Sequence, residues 1–171
     1  MTQEQPPQTG PDGLPLGRFQ GRQRFADGVH QALGSAARLG WSPLILADAD
    51  FADWPLGERR VIEALQRWAG QGRRIRLLAR DYRPLREQQP RFVQWRIQWS
   101  HLIEAHAWPA AGEGEIPSAL WTPQWCLERV DPRRSVCVAD AGSSRLAMLG
   151  ERIEAAWQRS RPGFPASVLG L

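Results

Sequence analysis

The chain has no lysine and no asparagine, and all 22 of its basic residues are arginine. Without lysine there is no Schiff-base nucleophile, no P-loop lysine and no lysine-dependent phosphodiesterase motif. Cysteine is scarce as well. Cys126 and Cys137 are the only thiols, too few for a four-thiolate zinc site, and a cytosolic chain keeps them reduced. No apolar run approaches the roughly 20 residues that cross a bilayer. The first residues are polar and Pro-rich, without the charged-then-apolar start of a secretory signal, so the expected compartment is the cytoplasm, with no membrane partner. A Gly-x-Ser-x-Gly elbow is missing, and no Gly-x-Gly-x-x-Gly follows an apolar run. These gaps remove the usual serine-hydrolase and dinucleotide-binding signatures.

What is present is a chain of 171 residues with 42% hydrophobic content and nine tryptophans. That length suits one domain, and aromatic residues bury large areas in a packed interior. The formal charge of +4 permits an acidic partner without requiring one.

Residues 43–81 organise the rest. Leu44-Ile45-Leu46-Ala47 is a short apolar run that stops at Asp48, Asp50 and Asp53. An amphipathic stretch follows, with Val61, Ile62, Leu65, Trp68 and Ala69 on one face and Arg59, Arg60, Glu63 and Arg67 on the other. Gly70 and Gly72 close it, and a second apolar run spans 74–79 before Arg80-Asp81. This is a strand–helix–strand unit, which implies parallel strands and right-handed winding. Asp53 is the expected helix N-cap, with Pro55 near the helix start.

Around that unit, residues 1–17 carry four prolines and three glycines with little to bury, and read as a disordered leader. Residues 18–171 read as a single α/β domain. Phe25, Val29, Ala32, Leu33 and Ala36 predict a helix over 22–39 ended by Gly40, with His30 beside its apolar stripe. A third helix is expected from Pro84 or Pro90 to 107, with Phe92, Trp95, Trp99, Leu102 and His106 on one stripe. Residues 119–130 and 134–139 read as a hairpin whose four-residue loop, 130–133, sets Cys126 opposite Cys137. A last amphipathic helix covers 146–157, and the apolar tail 161–171 is expected to pack back. The expected fold is an α/β sandwich with a mixed, mainly parallel sheet flanked by helices.

Three constellations bear on chemistry. Leu44 to Asp50 resembles the opening motif of haloacid-dehalogenase-type phosphotransferases. By that resemblance Asp48 is the nucleophile and Asp50 the acid/base, with Mg²⁺ neutralising charge. The lysine and the downstream Asp-Asp pair of that family are missing, and Phe51 stands where Thr or Val is usual. The plain alternative is a polar strand end with a helix cap. His101, Glu104 and His106 suggest metal ligands, but on a helix an i, i+5 spacing sets the two histidines apart around the axis. The third is arginine density. Arg73, Arg74, Arg76, Arg80, Arg83, Arg86, Arg91 and Arg96 face only Asp81 and Glu87 in the same stretch. On one shared face they would bind phosphate or nucleic acid; otherwise they are a solvated helix surface.

The run from Leu44 through Arg80, and above all Gly72-Arg73-Arg74-Ile75-Arg76-Leu77-Leu78, resembles one half of a phospholipase-D-like domain over residues 22–140. The catalytic signature of that superfamily is His-x-Lys followed by Asp. The corresponding stretch here, 118–131, contains neither His nor Lys. The resemblance therefore implies a catalytically inert relative, and a homodimer by analogy with active members, which pair two such halves.

The leading functional expectation is a non-catalytic domain binding an anionic ligand, nucleic acid or protein partner through an arginine-rich surface. Its candidate binding residues are Asp48, Asp50, Arg80, Arg83, Arg96, His101 and His106, with no cofactor. The alternatives are a Mg²⁺-dependent phosphohydrolase using Asp48 and Asp50, and a purely structural protein-interaction module.

Overall fold

The computed structural model describes residues 8–165. In it the strand–helix–strand unit is β2 (Leu44–Ala47), α2 (Arg59–Trp68) and β3 (Ile75–Ala79). β2 and β3 pair in parallel, with Leu44 beside Ile75 and Ala47 beside Leu78. The preceding helix α1 spans Arg22–Leu39 and ends on Gly40 at φ 72°, a left-handed position that glycine takes without strain. After β3 come two short helices, α3 (Arg83–Gln88) and α4 (Pro90–Gln98), and then β4 (Ile103–Ala107), parallel to β3.

The second half is a meander: β5 (Ser118–Trp121), β6 (Cys126–Asp131) and β7 (Val136–Asp140). Helix α5 (Ser143–Gln158) follows, then a two-residue strand β8 (Arg161–Pro162). With β1 (Gly17–Gln20) these form one open sheet of eight strands among the described residues, in the order β1-β7-β6-β5-β2-β3-β4-β8. The α/β class and mixed sheet are as expected. The sheet is not mainly parallel, however. Only the β2–β3 and β3–β4 junctions are parallel, and the others are antiparallel. Hairpin connections need only a short turn, whereas each parallel pair needs a helical crossover, and the second half of the chain supplies turns.

Side-chain alternation explains the two layers. Leu44, Leu46, Ile75, Leu77, Ile103, Ala105, Leu120 and Leu127 bury one face in the main core against α1, α2 and α4. Ala47, Leu78, Ala119 and Cys126 face the other way, where Leu146, Leu149, Ile153, Ala156 and Trp157 of α5 cover them.

Five expectations need correction. The third helix does not reach 107, because Ile103, Glu104 and Ala105 alternate buried, exposed, buried. That period of two suits a strand, and five register partners on β3 fix it. Asp53 does not cap α2: the N-cap is Glu58, and the Asp53 carboxylate is bonded to Arg129 instead. The cysteines do not oppose each other. Cys126 pairs with Asp140 and Cys137 with Arg129, so the two thiols serve opposite faces of the sheet. The hairpin stretch 119–130 is two strands, with the Thr122 hydroxyl closing the turn between them on Trp125. The leader is ordered from Gln8 onward: Leu14 is buried, Thr9 bridges Pro15, and Asp12 accepts hydrogen bonds from Ser35 and Arg38. Residues 1–7 of that leader lie outside the described residues. The tail packs back as far as Phe164, which is buried on Tyr82; 166–171 lie outside the described residues.

Candidate functional site

Polar residues gather at the carboxyl ends of β2 and β3, as the sequence predicts. Asp48 is buried there. Its Oδ1 accepts from Arg129 Nη2 at 2.9 Å, and its Oδ2 accepts from the backbone N–H of Phe51 at 2.8 Å and of Asp50 at 3.2 Å. Arg129 also donates through Nη1 to Asp53 at 2.5 Å and through Nε to Ser118 at 2.8 Å. Its guanidinium lies 4.4 Å from the Phe25 ring centroid. Asp50 turns back, Oδ1 accepting from the Ala52 N–H at 3.0 Å. The turn itself is over-determined. Phe51 holds φ 58° while fully buried, its carbonyl accepts from Gln89 Nε2 at 2.8 Å, and its ring sits edge-on to Trp54. A non-glycine residue keeps such a conformation only where its surroundings fix it.

The strand-end carboxylates thus form the frame of a turn. A nucleophilic Asp48 needs an unengaged oxygen facing a substrate, and both of its oxygens are occupied.

The other candidates are spread out. Arg80 extends exposed from the end of β3, where its N–H and that of Asp81 both donate to the Ala49 carbonyl. Arg83 pairs with Asp81 at 2.9 Å in the open. His101 is exposed in the one-turn 3-10 segment before β4, at the opposite end of the sheet. His106 lies near the carboxyl end of β4. It stacks on Trp157 at 3.8 Å and shares a hydrogen bond with Ser160 at 2.8 Å. Burial, with help from Arg76, draws its pKa below the ordinary value, while Glu104 opposes the shift. Arg96 is buried on α4 beside Phe164, and burial lowers its pKa.

Nor does the dense arginine stretch share a face. Arg73 ties Trp68 and Gly40 through their carbonyls. Arg76 pairs with Glu154 and stacks on Trp157, and Arg91 reaches the Gly57 carbonyl.

Open cationic surface occurs elsewhere. A groove of about 500 Å³ runs between α1 and α2, lined by His30, Ser35, Arg38, Arg60, Glu63 and Arg67. Arg60 and Arg67, seven residues apart, lie on one side of α2. Neither forms an ion pair among the described residues. Asp12, the groove's second carboxylate, is engaged by Ser35 and Arg38, which hold its pKa down. The seven-residue spacing was a usable signal in the sequence. The docking of α1 against α2 that adds Arg38 was not. A second cleft, of about 670 Å³, opens at the carboxyl ends between Arg80, the 111–114 loop and Arg133, with Glu113 paired to Arg133.

No protein-family model matches the chain. No curated protein matches it either. A likeness does appear in three dimensions. The chain is similar to a solved structure of TrmBL2, an archaeal chromatin protein described as showing a novel mode of DNA binding. The TM-score is 0.62 at 14% identity, over 85% of this chain and 53% of that one. The likeness is one of fold, and the chain spans about half the length of that protein. No helix among the described residues is long and apolar enough to cross a membrane.

Proposed function

We propose that this chain is a non-catalytic binding domain for a phosphate-bearing polymer, nucleic acid in the first place. The observation that carries the reading is the groove between α1 and α2. There Arg60 and Arg67 form no ion pair among the described residues, with Glu63 between them on the same helix, and Arg38 and Ser35 have drawn the nearby Asp12 into the wall. Guanidinia on a groove wall suit phosphate oxygens, which accept paired N–H donors. The DNA binding described for the TrmBL2 structure supports the same class of partner.

The non-catalytic part rests on the engagement of Asp48 and on the phospholipase-D-like resemblance, whose His-x-Lys motif is missing. On that resemblance a homodimer is part of the proposal, read out by sedimentation. The Mg²⁺-dependent phosphohydrolase reading requires Asp48 to leave Arg129 and the Phe51 N–H, so it is the weaker one.

The test is fluorescence anisotropy with labelled single- and double-stranded oligonucleotides across a salt series. Affinity is expected to fall linearly on log–log axes, with a slope of about −0.9 per phosphate neutralised on duplex DNA. Arg60→Ala with Arg67→Ala is expected to flatten that slope by about two contacts' worth. No binding at low salt, or a slope unchanged in the double variant, overturns the reading.

A further inference from the structure

Arg96 is 6% exposed. Its Nη2 donates to the Phe164 carbonyl at 3.2 Å, and its guanidinium lies 5.7 Å from the Phe164 ring centroid. Nε and Nη1 are sealed from solvent and have no acceptor among the described residues. No carboxylate there pairs with it. A guanidinium taken out of water with one acceptor for five donors is costly, and buried charges in proteins are normally paired. The other buried arginine of this fold shows the contrast: Arg129 has two carboxylates and a hydroxyl.

Beside Arg96 is an open groove of about 540 Å³ between α4, β4 and the segment after β8, with Ile103, Ala105, Pro162 and Pro165 among its walls. Glu104 and His106 also line it. The outer wall, a strap formed by that segment, is anchored by Phe164, which is buried on Tyr82 and whose carbonyl accepts from Arg96. It has two register pairs between β8 and β4, plus the Gly163 N–H donating to the Ala105 carbonyl at 3.0 Å. A ligand therefore reaches the guanidinium by displacing the Phe164 carbonyl from Nη2.

We infer that this groove binds a small organic monoanion, a carboxylate on a compact apolar body, with Arg96 as its counter-charge. The carboxylate takes over Nη2 from the Phe164 carbonyl and pairs with the unsatisfied Nη1, in the two-point geometry that guanidinium favours. The apolar body replaces water against Ile103, Ala105 and the prolines. Glu104 at the wall disfavours a second negative charge on the ligand, which selects against phosphate and sulfate dianions. The site is independent of the nucleic-acid reading, since Arg96 plays no part in the α1/α2 groove.

The experiment is thermal unfolding of the full chain with isobutyrate, benzoate, inorganic phosphate or chloride at matched ionic strength, on wild type and Arg96→Met. Isobutyrate or benzoate is expected to raise the wild-type midpoint in a saturable way, and phosphate and chloride are not. Arg96→Met is expected to bind the carboxylate at least about tenfold more weakly and to unfold no earlier than wild type in anion-free buffer. Equal stabilisation of the variant, an equal effect of all anions, or no carboxylate effect on wild type overturns the assignment. If the variant does not fold, amide NMR of wild type titrated with isobutyrate decides. Saturable shifts centred on Ala105 and Gly163 support the site; their absence overturns it. Nucleic-acid affinity unchanged in Arg96→Met separates a failure here from a failure of the α1/α2 groove reading.

Discussion

Arg129 on β6 and Asp48 at the end of β2 form an ion pair at 2.9 Å, with only 3% and 5% of their side chains exposed. The two strands are not neighbours; β5 lies between them. The pair therefore reaches across a strand, and Ser118 of β5 contributes its hydroxyl to the same guanidinium. It couples the parallel half of the sheet to the meander.

Removing one partner strands the other in the interior. Arg129→Met is expected to destabilise the fold by about 3–5 kcal/mol, measured by urea unfolding. Adding Asp48→Asn to that variant is expected to recover part of the loss, because the two changes share one interaction. Strict additivity of the two losses counts against a coupled pair.

The cysteines are expected to be inert in the native state. Burial pushes the Cys126 thiol up to about 12 and the Cys137 thiol up to about 11. At neutral pH the thiolate fraction is then on the order of 10⁻⁴ or less. A disulfide-exchange reagent is expected to label neither residue until denaturant opens the fold. Labelling of folded protein at the rate of free cysteine contradicts this.

Stability is expected to rise with pH on the acid side of neutrality through His106. Its folded-state pKa lies below the ordinary 6.5, chiefly because burial penalises the imidazolium. The unfolded chain therefore binds the extra proton first. The contribution is complete above pH 6.5 and is lost as pH falls from there through the folded-state value. His106→Gln is expected to flatten that part of the midpoint-versus-pH curve. A curve unchanged by the substitution excludes His106 as the source.

Gly163 of the strap packs tightly against Ala107 of β4. A β-carbon there meets the Ala107 Cβ at 2.8 Å and the Ala107 nitrogen at 3.3 Å, one of them backbone. Gly163→Ala is expected to cost about 1–3 kcal/mol by overpacking and to release the strap. Hydrogen exchange at residue 163 reads this directly, and full retention of its protection contradicts the close approach.

Much of the fold was legible because local patterns and tertiary packing agreed. The stripe from Phe25 to Ala36 with Gly40, and the apolar runs at 44–47 and 75–79, each predict what forms. Agreement ended where a long-range partner decided. The helical spacing of Trp95, Trp99 and Leu102 continues to His106, yet β3 offers a parallel ladder and the chain takes it at Ile103. Likewise Asp53 has the chemistry of a cap, and an arginine 76 residues later claims it.

The site was less legible for the same reason. Arginine density along the sequence pointed to 73–96, where strand and helix geometry sends the side chains to different faces and many bond the backbone. The open guanidinia of the groove belong instead to α2, beside a helix that only packing brings near. The sequence alone determined the α/β class, the central strand–helix–strand unit and the exclusion of lysine chemistry, because these depend on residue type and short-range periodicity. Only the tertiary structure decided that β5 joins β2 antiparallel, that Asp48 and Asp53 serve Arg129, and that Arg96 is buried without a counter-charge among the described residues. Those outcomes depend on which distant groups meet, and burial then makes each meeting energetically large.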